Sequence, residues 1–287
     1  MAVIRIGPAG WSYRDWAGVV YPAGAGRDFD RLSYLAEYFD TIEINVTFYR
    51  FPEARICRQW AARTGNNPGF RFTAKLHRNF THDWSSAGPD DPADYKRGIE
   101  PLREADRLGA ILAQFPYSFH YTADNRRYLG RLAERFSEYR LVIEVRHRSW
   151  DRPDVFQFLR DHGLGYCAID QPRVSRSILP LNSVTSPVGY VRLHGRNVRD
   201  WFRRSAGRDE RYNYLYSPAE IEEWRDRIDR TAPRAEEFYV IANNHFRGQA
   251  ACNALQLAAG VFRRRVSVPP PLIAAYPELK KIAVRGR

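Results

Sequence analysis

The chain has 287 residues, of which 44% are hydrophobic and 14% are aromatic. This length and composition exclude a disordered chain and allow one large domain or two small ones around a substantial core. The 45 Lys and Arg residues exceed the 33 Asp and Glu residues and give a formal net charge of +12. Such a charge favours anionic partners, namely phosphorylated metabolites, nucleic acid or an acidic membrane surface. Only four basic residues are lysine, and a GC-rich genome also produces this preference for arginine.

The three cysteines, Cys57, Cys167 and Cys252, are odd in number and far apart. They show neither the spacing of a zinc site nor that of a disulfide scaffold, which favours a reducing compartment. The first residues resemble a strand rather than a signal peptide, and no apolar run reaches the ~18 residues that would span a bilayer. We therefore expect a cytoplasmic protein with no membrane association.

Short β-branched or aromatic runs alternate with longer helical patterns along the chain. The predicted strands are Val3–Ile6, Thr41–Val46, Phe70–Lys75, Ala110–Phe115, Leu141–Arg146, Gly165–Asp170, Gly189–His194 and Phe238–Asn243. The predicted helices are Phe29–Phe39, Glu53–Arg63, Ala93–Leu108, Asn125–Phe136, Pro153–His162, Pro218–Thr231 and Gln249–Arg264. Ser217, with Pro218 and Glu220, has the pattern of a capping box, and Gly163 is placed to end a helix.

Eight strands alternating with helices predict a TIM-type (β/α)8 barrel, a closed parallel sheet with outer helices. The sixth unit is predicted to lack a regular helix because residues 171–187 are rich in Pro and Ser. A doubly wound open sheet is the alternative. The turn from Gly7 to Gly10 does not have the GxGxxG pattern, so no nucleotide-cofactor fingerprint supports it. We assign residues 1–265 to a single barrel domain and residues 266–287 to an extended C-terminal strap.

Polar residues occur at the carboxyl ends of seven of the eight predicted strands, where barrel enzymes build their active sites. Because side chains alternate along a strand, Glu43 and Asn45 are expected to face the lumen together, as are Glu144 and Arg146. The catalytic candidates are Glu43, Lys75, Glu144, Asp170 and His194. The substrate-binding candidates on strand ends are Asn45, Gln114, Arg146, Arg192, Asn243 and Asn244. The alternative is that these charges only neutralise one another inside the barrel.

Two further features point to a ligand at the same rim. The stretch from Arg196 to Tyr216 combines arginines with aromatic residues, including Tyr214, and suits phosphates together with bases or sugars. Aromatic residues and one histidine also follow other strands: Trp11, Tyr49, His82 and Trp150. These residues could instead pack as a solvated loop and as part of the core. The histidine spacing does not indicate a metal site, so a bound divalent ion is possible but is not favoured.

Several blocks of the sequence are similar to the YecE-like family, also called domain of unknown function seventy-two. They include Gly10-Trp11-Ser12-Tyr13, Ile42-Glu43-Ile44-Asn45, Gln114-Phe115-Pro116, Glu144-Val145-Arg146-His147 and Asn243-Asn244. The resemblance extends from about Ile4 to Leu257, with departures at Pro8-Ala9 and Ala242. It implies a TIM-type barrel of bacterial cytoplasmic origin. It implies no reaction, because the family has no settled activity.

The residues favour an enzyme that acts on an anionic substrate containing a phosphate or a nucleotide, with a hydrolase preferred over an isomerase. A non-catalytic nucleic-acid-binding protein with a basic aromatic rim is one alternative. A metal-free glycosidase-like enzyme that uses Glu43 and Glu144 is another. The substrate, the cofactor and the oligomeric state are not predicted.

Overall fold

The computed structural model describes residues 2–172, 177–178, 183–201, 203, 205 and 207–284. Eight strands form the centre of the fold: β1 (Val3–Pro8), β2 (Thr41–Ile44), β3 (Arg71–Lys75), β4 (Leu108–Gln114), β5 (Leu141–Glu144), β6 (Gly165–Asp170), β7 (Val188–Leu193) and β8 (Glu237–Ala242). Each predicted strand is present; β6 has the predicted bounds, and the ends of the others differ by one or two residues.

The strands form one parallel sheet in the order β1-β8-β7-β6-β5-β4-β3-β2. The sheet curls into a nearly closed barrel, and the predicted TIM-type architecture is confirmed. Within the described residues, β1 and β2 meet through a short bridge, where the Gly10 amide donates to the Glu43 carbonyl at 2.8 Å. The two strands come very close at Gly7, where a Cβ atom would lie 1.8 Å from the Thr41 carbonyl oxygen. A side chain at this position would separate the strands.

Helices surround the sheet. They are α1 (Arg31–Ala36), α2 (Ala54–Arg63), α3 (Asp91–Glu104), α4 (Ala123–Arg135), α5 (Pro153–Asp161), α6 (Val198–Trp201), α7 (Arg208–Arg211), α8 (Pro218–Thr231), α9 (Gln249–Phe262) and α10 (Pro270–Ala275). The capping box that begins α8 is present, with both Ser217 and Glu220 bonding to the backbone. Gly163 follows α5 with φ +64°, the left-handed conformation that ends many helices.

The strands are buried on both faces, as expected for a parallel sheet between a lumen and a layer of helices. Every residue of β2, β5, β6 and β7 is buried. Apolar residues such as Ile42 and Ile44 pack in the core. Charged residues at alternating positions of these strands are therefore enclosed by protein, and each must find a partner there.

Two segments depart from the regular pattern. The predicted loop at 171–187 contains no helix in its described part, and residues 173–176 and 179–182 lie outside the described residues. The tail was expected to be an extended strap, but α10 begins within its proline run. Pro270 and Pro271 start this helix because proline is favoured in the first helical turn. Val266 then pairs with the chain near Ala283. None of the described helices has the length and apolar composition needed to cross a membrane.

Candidate active site

A buried ion-pair network fills the lumen below the carboxyl ends of the strands. Arg192, on β7, donates from Nη1 to Glu144 Oε2 at 2.6 Å and from Nη2 to Glu43 Oε1 at 2.7 Å. All three side chains are almost completely inaccessible to solvent. One guanidinium therefore joins β2, β5 and β7 across the lumen, as the alternation of side chains predicts for residues 43, 144 and 192.

Glu144 has further partners around its second oxygen. Arg146 donates to Glu144 Oε1 at 2.9 Å, and His194 Nε2 lies 3.3 Å from the same oxygen. Burial by itself raises the pKa of Glu144, but Arg192, Arg146 and His194 hold that pKa well below its usual range. Glu144 is therefore ionised at neutral pH and is a poor general acid in this state.

His194 is held between Glu144 and Asn243. The Asn243 amide nitrogen lies 3.0 Å from His194 Nδ1, which fits a ring with its hydrogen on Nε2 facing Glu144. Burial is the main cause that lowers the pKa of His194 to about 3; Arg146 and Arg192 also lower this pKa, whereas Glu144 raises it. The imidazole is therefore neutral at neutral pH.

Glu43 has a different set of partners. The Tyr190 hydroxyl donates to Glu43 Oε2 at 3.0 Å and lies 2.7 Å from the Thr73 hydroxyl. Both carboxylate oxygens of Glu43 are thus satisfied by Arg192 and Tyr190. Replacing a partner would leave a buried charge without compensation, which is strongly destabilising.

A cavity of about 1000 Å³ opens above this network at the rim of the barrel. It is lined by Gly10, Trp11, Ser12, Tyr13, Asn45, Val46, Phe48, Tyr49, Trp60, Lys75, Arg78, His82, Gln114, Pro116, Tyr117, Arg146, Gln171, Arg192, Arg211, Tyr212, Asn243 and His245. No aspartate or glutamate occurs among the described lining residues, although five of them are Lys or Arg. The wall of the cavity is cationic and aromatic, whereas the two glutamates lie behind it.

Lys75 is the cation of this wall with the most unusual surroundings. Its Nζ lies 4.1 Å from the centroid of the Phe48 ring, and 8% of the residue is exposed. Burial, with a further contribution from Arg192, lowers the pKa of Lys75 to about 7 against the opposing effect of Glu43 and Glu144. A substantial fraction of this amine is therefore uncharged at neutral pH and can accept a proton.

His82 stands beside Lys75 on the same wall. Its Nδ1 lies 3.0 Å from the Thr81 hydroxyl, and its ring contacts Phe48 edge-on at 5.0 Å. Burial lowers the pKa of His82 to about 4, and Lys75 and Arg146 contribute to the lowering. His82 is therefore neutral at pH 7 and can donate or accept a hydrogen bond toward a ligand.

Four other predicted binding residues also lie on the cavity wall. Trp11 packs edge-on against Trp60, with ring centroids 5.4 Å apart. Tyr49 is 64% exposed, and both Tyr49 and Asn45 line the cavity. Gln114 accepts a hydrogen bond from Arg192 at 3.2 Å. These side chains offer apolar surfaces and amides next to the cations.

Asp170 and Arg196 were expected at the site, but the structure places them outside the lumen. Asp170 is paired in register with Leu193 rather than Arg192, so its side chain faces the helices. It accepts bonds from Arg196 at 2.8 Å and from the Trp224 indole at 2.8 Å. Arg196 also binds Glu220 and Glu223 of α8. This group attaches α8 to the barrel, and neither residue lines the cavity.

Three more predicted binding residues have structural contacts instead. Trp150 is buried and donates to the Phe119 carbonyl at 2.7 Å. The Tyr214 hydroxyl donates to Glu220 at 2.6 Å. Asn244 points away from the lumen and donates to Asn253 of α9 at 2.8 Å. Asn243 and Asn244 are adjacent in the chain, so alternation sends their side chains to opposite faces.

Several residues of the wall are not among the site residues that the sequence predicts. They are Tyr13, Arg78, Tyr117, Arg211, Tyr212 and His245. Arg78 forms an ion pair with Asp83 at 2.7 Å, and Tyr13 stacks on His245 with ring centroids 4.6 Å apart. Arg211 and Tyr212 belong to the predicted basic aromatic loop, so the loop contributes to the cavity through its end rather than through Arg196. Phe202 and Arg204 of this loop lie outside the described residues.

The histidine spacing of the sequence does not favour a resident metal. In the described ranges, no group of three or more His, Cys, Asp or Glu side chains is arranged to hold a metal ion. The buried carboxylates Glu43 and Glu144 instead face the guanidinium of Arg192.

Comparison with known proteins places this chain in a family. A family model described as "Protein of unknown function DUF72" matches residues 5–274. The UPF0759 protein YunF of Bacillus subtilis (strain 168) is 26% identical over 269 residues, which cover 89% of this chain and 93% of that protein.

Two solved structures of DUF72 family proteins have the same fold. The one from Thermotoga maritima MSB8 is 37% identical, has a TM-score of 0.79, and is matched over 89% of this chain and 98% of its own. The one from Enterococcus faecalis V583 is 26% identical, has a TM-score of 0.80, and is matched over 91% and 96%. The family resemblance noted in the sequence is thereby confirmed. The chain belongs to the DUF72 family.

Proposed function

We propose that this protein is an enzyme whose cavity binds an anionic, phosphate-bearing organic substrate and whose proton-transfer group is Lys75. We favour hydrolysis as the reaction class. The observation that carries the proposal is the combination in one cavity of a partly uncharged lysine and several guanidinium groups, with no acidic residue among the described lining.

The charge distribution supports an anionic ligand. Glu43 and Glu144 balance Arg192 and Arg146 from behind. Arg146, which is 14% exposed, can therefore turn its remaining N–H groups toward a ligand, while the buried Arg192 adds positive charge behind it. Arg211 adds a third guanidinium from the loop side. Forked arginines bind phosphate oxygens in pairs, and a partly enclosed cavity strengthens the attraction.

The aromatic wall supports an organic portion on the substrate. Trp11, Tyr49, Tyr117 and Tyr212 surround the opening. Aromatic faces of this kind suit a base or a sugar ring, which binds by stacking and by contact with C–H groups. A volume of about 1000 Å³ accommodates a ligand of nucleotide size.

Lys75 supports the catalytic step. In its uncharged form, the amine can take a proton from a water molecule that attacks the substrate, and in its charged form it can return that proton to the leaving group. A group with a pKa near the working pH performs both steps well. The glutamates expected as acid and base are fully buried and ion-paired, so we assign them to positioning Arg192 and Arg146.

Ligand binding is the first experiment. Thermal shift or calorimetry should show that adenosine monophosphate and ribose 5-phosphate bind, whereas adenosine and ribose bind at least 10-fold more weakly. Arg211→Gln should weaken phosphate binding. Arg203→Gln is the matched control, because Arg203 belongs to the same loop but pairs with Glu210 and does not line the cavity. Equal binding of the phosphorylated and neutral compounds would contradict the proposal.

Turnover is the second experiment. With a panel of phosphate monoesters and diesters, the rate should rise with pH through about 7, because Lys75 must be uncharged to accept a proton. Lys75→Met should abolish turnover while keeping phosphate binding within a few-fold. Binding without turnover across the panel, together with tight binding of oligonucleotides, would favour the alternative of a nucleic-acid-binding protein.

A further inference from the structure

We propose that Lys75 also acts as a nucleophile and forms an imine with an anionic aldehyde or ketone bound in the cavity. The proposal rests on the proposed function in one respect, because it uses the same cationic wall to hold the anionic group. It adds a second substrate class, carbonyl compounds, and a covalent intermediate.

The first support is the isolation of the Lys75 nitrogen. Within the described part of the chain, Nζ makes no ion pair and no hydrogen bond, and its contact is the face of the Phe48 ring at 4.1 Å. A lysine in a protein normally gives its hydrogens to carboxylates, carbonyls or water. Here no protein acceptor competes for the nitrogen, so its lone pair is free to attack when the amine is uncharged.

The second support is the position of the neighbouring charges. Arg192 and Arg146 lie on the same wall, and both disfavour the ammonium form of Lys75. A cationic neighbour is an established way to keep a catalytic lysine uncharged. Arg146, which is 14% exposed and lines the cavity, can hold the carboxylate or phosphate of the substrate, which places its carbonyl carbon near the amine.

The third support is the lysine composition of the chain. Lys96 pairs with Glu138 at 2.6 Å on the outer surface. Lys280 and Lys281 lie at the end of the tail and are exposed. Lys75 is thus the lysine of this chain that lines the large cavity.

The step balances without a further reagent. The Lys75 nitrogen adds its lone pair to the carbonyl carbon, and the carbonyl oxygen takes up the electron pair of the C=O bond and a proton to give a carbinolamine. A second proton transfer expels that oxygen as water and leaves the C=N bond. Amine and carbonyl compound therefore give imine and one water. We assign His82 and Tyr117, which line the same cavity, to binding the oxygen as it leaves.

Borohydride trapping tests this inference on the intact chain. The protein is incubated at pH 7 with pyridoxal 5′-phosphate or glyoxylate, reduced with sodium borohydride, and analysed by intact mass and peptide mapping. Hydride adds to the imine carbon and fixes the probe as a stable secondary amine. We expect one adduct per chain, on Lys75, and at least 10-fold less adduct with pyridoxal, which lacks the phosphate.

Two variants and one competitor complete the test. Lys75→Arg keeps the positive charge but cannot form an imine, and it should remove the adduct. Lys96→Arg is the matched control and should leave the yield unchanged. Inorganic phosphate should protect Lys75 by occupying the guanidiniums. If Lys75→Arg does not fold, the distribution of label among the four lysines of the unaltered protein decides the question.

The outcomes separate this inference from the proposed function. Label spread over Lys280 and Lys281, or no label on Lys75 at saturating probe, overturns the imine. If adenosine monophosphate still binds in that case, the anionic cavity of the proposed function stands. If neither the aldehyde probes nor the phosphate esters bind, both proposals fail.

Discussion

The ion-pair network predicts a specific effect for Glu144→Gln. This change keeps the size and the oxygen acceptor of the side chain but removes its negative charge. Glu144 lies 2.6 Å from Arg192, 2.9 Å from Arg146 and 3.3 Å from His194, and it is fully buried. In the variant, Arg192 keeps the carboxylate of Glu43, whereas Arg146 loses the negative charge of Glu144.

Removing one partner from a buried ion pair destabilises a protein by about 3–5 kcal/mol. We expect the lower value, ~3 kcal/mol, because Arg146 keeps partial access to the water of the cavity and is thereby better solvated. A change of 1 kcal/mol shifts the melting temperature of a large domain by roughly 2 °C. The expected fall in melting temperature is therefore about 6 °C.

Differential scanning calorimetry or a dye-based melt at pH 7 measures this effect. Glu222→Gln is the matched control, because Glu222 forms an exposed pair with Arg225 on α8. An exposed pair contributes at most about 1 kcal/mol, so the control should lose less than about 2 °C. A melting temperature of Glu144→Gln that is unchanged or raised would refute this reasoning. It would show that the carboxylate is retained for activity at the expense of stability.

Three further changes have definite directions. Lys75→Met should raise the melting temperature at pH 7, because folding lowers the pKa of this amine to about 7 from 10.5. The gain should shrink as the pH rises toward 10.5, and a lower melting temperature of the variant at pH 7 would contradict this prediction. Folding lowers the pKa of His194 to about 3 from 6.5, so its contribution weakens stability as the pH falls from 6.5 toward 3; His194→Gln should flatten the stability profile in this window, and an unchanged slope would refute the assignment. Asp170→Asn should lower the melting temperature by several degrees and leave phosphate affinity within two-fold, since its contacts with Arg196 and Trp224 lie outside the cavity; a large loss of affinity would return Asp170 to the site.

The fold could be predicted because its signals are local. Segments of consecutive residues contain the hydrophobic period, the capping residues and the glycines at helix ends. Ser217 caps the start of α8 and Gly163 follows the end of α5, as those patterns predict. The bounds of the strands were harder to predict, because each ladder ends where the neighbouring strand ends. A single sequence does not contain the information on which strands are neighbours.

The lumen network was within reach of the sequence because alternation along strands fixes which residues share a face. The same rule sends the side chains of Asn243 and Asn244 to opposite faces, so of these two predicted rim residues Asn243 lines the cavity and Asn244 bonds to α9. For Asp170 the rule needs the register of β6 on β7, which pairs Asp170 with Leu193. Arg211 and Tyr212 were beyond this reasoning, because they enter the cavity from a loop whose path depends on tertiary contacts.

The close approach of β1 and β2 has a mechanical consequence. Seven of the strand junctions are backbone ladders, while this seam is joined by the bridge at Ala9 and Glu43. The side chain of Glu43 also accepts hydrogen bonds from Arg192 and Tyr190 of β7, across the lumen. The charged network thus holds the seam between β1 and β2 closed from inside the lumen. We therefore expect that replacing Arg192 would open the barrel at this seam first and would speed amide hydrogen exchange along β1 and β2.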